Sequence, residues 1–146
     1  MRPRLRPARP ADAPACAAIL REWAGETPWF PRPDPPQAAP GFVEERMARG
    51  VVIVAEAGGV AGFVAVERGY VNCLYVARGW RGRGVGKRLL DAAKAREHRL
   101  VLWTFAANDG ARAFYLREGF AERRRSDGAN AERLPDVEYV WPAEEA

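Results

Sequence analysis

The chain has 146 residues, enough for one domain with one substantial core, and its 48% hydrophobic and 29% charged content is that of a soluble globular protein. Its apolar runs, such as 51–55 and 63–66, are far too short to span a bilayer. The net charge of +4 comes from 23 basic residues scattered among 19 acidic ones, which argues against a nucleic-acid surface but leaves a smaller anion as a partner.

The opening MRPRLRPARP carries positive charge with no apolar stretch behind it, unlike a secretory signal. Asp12 is a suitable N-cap for a first helix, with Pro14 in the first turn, where its missing N–H is harmless. Cys16, Ile19, Leu20 and Trp23 follow at helical spacing and mark a buried face that ends at Gly25. Residues 26–40 hold six prolines and form a loop or extended segment. A short helix is expected over 42–49, stopped by Gly50.

Next comes a β-meander. Strands over 51–57 and 60–67 flank Gly58-Gly59, a two-residue hairpin signal, and Arg68-Gly69 turns into a strand over 70–76. A glycine-rich stretch, 79–86, precedes a helix expected over 87–97. The fully apolar 100–106 has the length of a buried central strand. A short helix over 109–118 closes on Gly119, and strands over 120–125 and 137–141 surround the turn-rich 127–130. With no repeat and no linker, the order predicts a mixed α/β fold in a single domain, 1–146. Cys16 and Cys73 form no spaced cluster; they read as buried free thiols in a reducing cytoplasm, and no metal site is expected.

The most informative segment runs from Leu74, Tyr75 and Val76 through Arg81, Gly82, Arg83, Gly84, Val85, Gly86 and Lys87. A strand enters a loop with four glycines, and the loop opens a helix. Glycines let backbone approach a ligand closely, and a helix start presents unpaired N–H groups to an anion. Two phosphate-loop patterns fail. The Walker pattern needs glycine where Arg81 stands and Ser or Thr where Arg88 stands, and GxGxxG needs a third glycine at Lys87. What fits is Arg-x-x-Gly-x-Gly, with Arg81, Gly84 and Gly86. A plain glycine-rich turn before an ordinary helix is the competing reading.

That segment resembles the pyrophosphate-binding signature of the GNAT N-acetyltransferase superfamily. A second block, from Asn108 through Phe114-Tyr115 to Gly119-Phe120, resembles the family's other hallmark and follows the apolar strand. Residues 6–12 and 126–141 are also similar to the beginning and end of family members, so the resemblance covers nearly the whole chain and is diffuse between 24 and 50. It implies the GNAT fold: a mixed central sheet of about six or seven strands with flanking helices, and a bulged, splayed strand forming the acetyl-CoA cleft. It implies acetyl-CoA as co-substrate and a small-molecule or peptide amine as acceptor. Leu74, Tyr75 and Val76 would pair with the pantetheine arm, the amides from Arg81 to Lys87 would wrap the pyrophosphate, and Asn108 would contact the arm. Tyr115 would protonate the departing thiolate, against the alternative that it is a packed aromatic.

The general base is open. Many members of the family it resembles use a carboxylate on the strand before the loop, and this chain has Asn72-Cys73 there. Glu67 and His98 are the other titratable candidates, read as solvated, and Cys73 reads as a packing residue. Trp29 and Phe30, in the loop 24–37, either wall the acceptor or lid the core. The activity expected is direct acetyl transfer to an amine in the cytoplasm, with a non-catalytic acetyl-CoA sensor as the alternative. No membrane or nucleic-acid partner is expected, and the oligomeric state stays open between monomer and homodimer.

Overall fold

The computed structural model describes residues 2–31 and 34–146; Arg32 and Pro33 of the loop 24–37 lie outside the described residues. The chain divides into two compact units, Met1–Arg96 and Glu97–Ala146. The described residues hold seven strands and four α-helices.

In the first unit, β1 (Arg4–Pro7), β2 (Val51–Glu56), β3 (Val60–Glu67) and β4 (Tyr70–Val76) pair in that order, each antiparallel to the next. Gly58 and Gly59, at φ 68° and 151°, turn β2 into β3 as the sequence predicts. The strand β1 was not expected, because proline and arginine dominate it. It forms as an edge strand, where proline is tolerated, and Arg6 anchors it. The Arg6 guanidinium meets Asp12 at 2.8 and 2.9 Å and Glu56 at 3.2 Å.

That ion pair also corrects the first helix. A 3-10 turn over Pro10–Asp12 leads into α1 (Ala13–Gly25), and Asp12 holds the N-cap position without capping through its side chain. Its carboxylate instead accepts the Arg9 N–H at 2.7 Å and binds Arg6. Of the expected buried face of α1, Cys16, Ile19 and Leu20 pack with Val43 of α2 (Phe42–Arg49) on Val52, Val54, Phe63 and Cys73 of the sheet, whereas Trp23 is only half-buried.

The helix after the loop, α3 (Val85–Lys94), starts two residues earlier and ends three earlier than predicted. Its start is set by Gly84, which sits in the left-handed region at φ 79° and acts as N-cap. Val85, Leu89, Leu90 and Ala93 are buried along one face. Gly62 lets this helix close on the sheet: a Cβ there would lie 2.9 Å from the Tyr75 carbonyl and 3.2 Å from Leu89.

In the second unit, β7 (Asp136–Trp141) lies between β5 (Leu100–Phe105) and β6 (Ala121–Ser126), antiparallel to both. The helix α4 (Asp109–Arg117) connects β5 to β6 and is followed by Gly119 at φ 91°. Arg123 is the extra residue of a bulge in β6, so Arg123 and Arg124 both reach the buried carboxylate of Glu138, at 2.6 and 2.9 Å. None of the described helices is long and apolar enough to cross a membrane.

Candidate functional site

After β4 the chain makes a 3-10 turn over Arg78–Trp80 and then enters α3 through Gly82 and Gly84, at φ 73° and 79°. Only glycine adopts both angles cheaply, which accounts for glycine at 82 and 84; Gly86 lies inside α3 and its place in the pattern has no such backbone reason. The first intrahelical bond runs from the Arg88 N–H to the Gly84 carbonyl at 3.1 Å. By helix geometry, the Val85 and Gly86 amides ahead of it point out of the N-terminus, where an anion would be held. Arg81 does not extend into that space. Its Nε donates to the Val76 carbonyl at 3.0 Å, its guanidinium pairs with Glu26, and its own N–H bonds to the Arg78 carbonyl at 3.3 Å.

Beside the helix start lies a depression of about 620 Å³, lined by Arg2, Trp80, Arg83, Gly84, Lys87 and Arg88 among others. The Arg83 guanidinium stacks over the Trp80 ring at 5.1 Å, and Arg88 donates to the Pro3 carbonyl at 2.6 Å. Four cations against the single carboxylate of Asp91 make this surface suitable for phosphate groups. Arg2 and Trp80 were not singled out in the sequence; Arg2 joins the site only because β1 places it there.

On β4, Leu74, Tyr75 and Val76 are half-buried and sit opposite Val64, Phe63 and Gly62. The Tyr75 ring meets Trp23 edge-on at 5.6 Å, and Trp23 also meets Phe30 at 4.9 Å and Trp29 at 5.9 Å. Phe30 is buried and belongs to the core, whereas Trp29 is half-buried at its margin. Ala65 pairs with Cys73 and Val66 with Val71, so Asn72 is the extra residue of a bulge. Its Oδ1 is buried with no hydrogen-bond partner among the described residues.

The other base and nucleophile candidates are accounted for. Burial pushes the Cys73 and Cys16 thiols up to about 12, so both stay protonated and unreactive at neutral pH. Glu67 is paired with Arg46 at 3.3 Å, and His98 is exposed.

In the second unit, Asn108 is the N-cap of α4 and accepts the Ala111 N–H on its Oδ1 at 3.1 Å. What it offers a ligand is therefore Nδ2. Tyr115 is buried on α4, with ring centroids of Phe114, Phe120 and Tyr139 at 5.2, 5.4 and 6.0 Å.

The sequence profile of the acetyltransferase (GNAT) domain matches residues 48–122, from the end of α2 into β6, and includes the whole of the loop and the Asn108–Tyr115 block. The chain belongs to the GNAT acetyltransferase family. No curated protein matches it at a significant level. Among solved structures, the GNAT chain is 25% identical to a ribosomal-protein-alanine N-acetyltransferase from Brucella melitensis, over 94% of this chain and 98% of that one, with a TM-score of 0.75. A phosphinothricin acetyltransferase from Sinorhizobium meliloti, in complex with acetyl-CoA, is 21% identical over 96% of this chain and 88% of that one, with a TM-score of 0.77. The apo form of YjaB from Escherichia coli is 20% identical over 97% and 98%, with a TM-score of 0.75. These likenesses establish the α/β GNAT fold expected from the sequence.

Proposed function

We propose that this GNAT protein transfers the acetyl group of acetyl-CoA directly to a primary amine, with its two units working as one domain in the cytoplasm. The observation that carries the reading is the loop from Gly82 to Gly86. Two left-handed glycines deliver the chain to a helix start whose amides face outward, next to a surface rich in arginine. Pyrophosphate is the ligand such a start favours, because backbone donors and the helix dipole act on it together.

The chain's own residues then divide the work. The Gly82–Gly86 amides and the cations Arg83, Lys87 and Arg88 hold the phosphates, and Arg81 contributes as a strut. The backbone of Leu74, Tyr75 and Val76 pairs with the pantetheine arm, and an N–H near Tyr75 and Val76 steadies the oxyanion formed when the amine attacks. Asn108 donates from Nδ2 to the arm, and Tyr115 returns a proton to the departing thiolate. A thiolate with an ordinary pKa near about 8.5 leaves readily, so this acid contributes a moderate factor. No carboxylate stands at Asn72, and the two thiols are held protonated, which favours an amine that arrives neutral or loses its proton to water. Trp29 borders the acceptor, while Phe30 packs beneath it.

A panel of small amines and peptides, incubated with acetyl-CoA and read by release of free thiol, tests the proposal. Turnover with at least one amine is the expected result. Saturable acetyl-CoA binding without turnover on any amine would make the protein a sensor, and absence of acetyl-CoA binding would overturn the assignment.

A further inference from the structure

Two further carboxylates stand beside the loop proposed to hold an anion. Glu22 and Glu26, one turn apart at the end of α1, both reach the segment that joins β4 to α3. Glu22 Oε1 accepts the backbone N–H of Arg78 at 2.8 Å. Glu26 accepts the Arg78 Nε at 2.7 Å and pairs with its Nη2 at 2.6 Å, and its other oxygen takes the Arg81 guanidinium. Arg81 is held from behind as well, by the Val76 carbonyl at 3.0 Å. Burial pushes the Glu26 carboxyl up, but the hydrogen bonds from Arg81 and Arg78 outweigh it and hold it below the ordinary carboxylate range.

The turn that carries these carboxylates is itself fixed. Trp23 wedges between Tyr75, Phe30 and Trp29, and the Thr27 hydroxyl donates to the Trp23 carbonyl at 2.5 Å. The Glu26 side chain is only 19% exposed, so it is seated against the protein and not waving in solvent. The two arginines at the start of the loop are thereby taken up in a frame, whereas Arg83, Lys87 and Arg88 line the depression beside the helix start together with Arg2.

We infer that Glu26, assisted by Glu22, is a positioning residue for the donor loop: it clamps Arg78 and Arg81 so that the amides from Gly82 to Gly86 are preset for a pyrophosphate. This rests on the acetyl-CoA reading given above. Arg81, the residue that completes the arginine-glycine pattern, acts through Glu26 and Val76, not on the phosphates directly. The clamp replaces loop ordering at the moment of binding with order already present, and that is where its affinity gain arises.

The sign of one substitution separates this role from simple electrostatics. Glu26→Gln removes a negative charge next to the site of a polyanion. Through-space Coulomb interaction alone would tighten coenzyme A binding. A clamp that loosens should weaken it, by between about five- and fiftyfold, at little cost in melting temperature. Calorimetric titration of coenzyme A into the parent, Glu26→Gln, Glu22→Gln and the distant charge control Glu44→Gln decides the matter, with hydrogen exchange of the 78–86 amides followed in the same proteins. The expected order of affinity is parent and Glu44→Gln, then Glu22→Gln, then Glu26→Gln, with faster exchange in the loop of the last two. Unchanged or tighter binding by a folded Glu26→Gln would overturn the clamp, as would unaltered loop exchange if that variant were too unstable to titrate and Glu22→Gln were used in its place. A parent that binds no coenzyme A would instead sink the donor assignment, and the inference with it.

Discussion

The side-chain oxygen of Asn108 accepts the backbone N–H of Ala111 at 3.1 Å and so caps α4, the helix that carries Tyr115. One residue therefore has a structural duty on Oδ1 and a proposed ligand duty on Nδ2, and two substitutions separate them. Asn108→Ala loses the cap and should cost about 1 kcal/mol of stability. Asn108→Asp keeps an acceptor for Ala111 and should hold the melting temperature, while acetyl-CoA affinity drops because the donor is gone. Equal affinity of Asn108→Asp and the parent in calorimetry would remove Asn108 from the donor site.

The glycines of the loop are not equivalent. Gly84 sits at φ 79°, so Gly84→Val strains the backbone whether or not a ligand is present. Gly86 lies in the first turn of α3 at an ordinary helical angle, so its substitution carries no left-handed backbone strain and is the better test of the ligand. Gly86→Val is expected to leave a cooperative thermal transition in place and to abolish measurable coenzyme A binding. Parent-like affinity in this variant would reject the pyrophosphate assignment.

Tyr115 packs its ring among Phe114, Phe120 and Tyr139, which makes the hydroxyl, not the ring, the part to remove. Tyr115→Phe should leave stability and acetyl-CoA affinity near the parent values, and kcat and kcat/KM should fall together by about ten- to a thousandfold. Parent-rate turnover under conditions where chemistry limits would leave Tyr115 as a packing residue only. Tyr115→Ala is the companion control; it empties a buried site and should cost about 3–5 kcal/mol.

Glu138 provides an acid-sensitive point in the second unit. Its side chain is 3% exposed; burial pushes its carboxyl up, and the hydrogen bonds from Arg123 and Arg124 outweigh this and hold it below the ordinary carboxylate range. A lowered folded-state pKa means that the stabilisation is present above the unfolded-chain value, near about 4.3, and is lost as the pH falls through the folded value. Denaturant unfolding between pH 6 and pH 3 should show the loss, with a shallower acid limb in Glu138→Gln. At neutral pH that variant should be about 1–3 kcal/mol less stable. The figure stays below the full cost of breaking a buried pair because the arginines it abandons can reach water. An acid limb unchanged by Glu138→Gln would assign the acid sensitivity to other carboxylates.

Much of the fold was legible because its signals are local. Gly58-Gly59 turns β2 into β3 through backbone angles that glycine adopts on its own, and α2, β3 and β4 follow from periodicity and from the breakers at their ends. The loop was legible for the same reason: glycine at 82 and 84 encodes positive φ without help from the rest of the chain. Other features required partners distant in sequence. The strand β1 exists through pairing with β2 and through Arg6 on Glu56, 50 residues away, and nothing in its own four residues, Arg-Leu-Arg-Pro, announces it. Arg81 completes the arginine-glycine pattern in the sequence, and only the fold delivers Glu26, 55 residues earlier, to hold its side chain. Likewise, Glu138 reads as a charge on a strand until the bulge at Arg123 turns two guanidiniums onto it. Backbone angles and hydrophobic period are properties of neighbouring residues, so the sequence alone determines them. The partner of a charged side chain is set by which elements meet, because its attraction is strong only at contact distance and away from water, and that the tertiary structure decides.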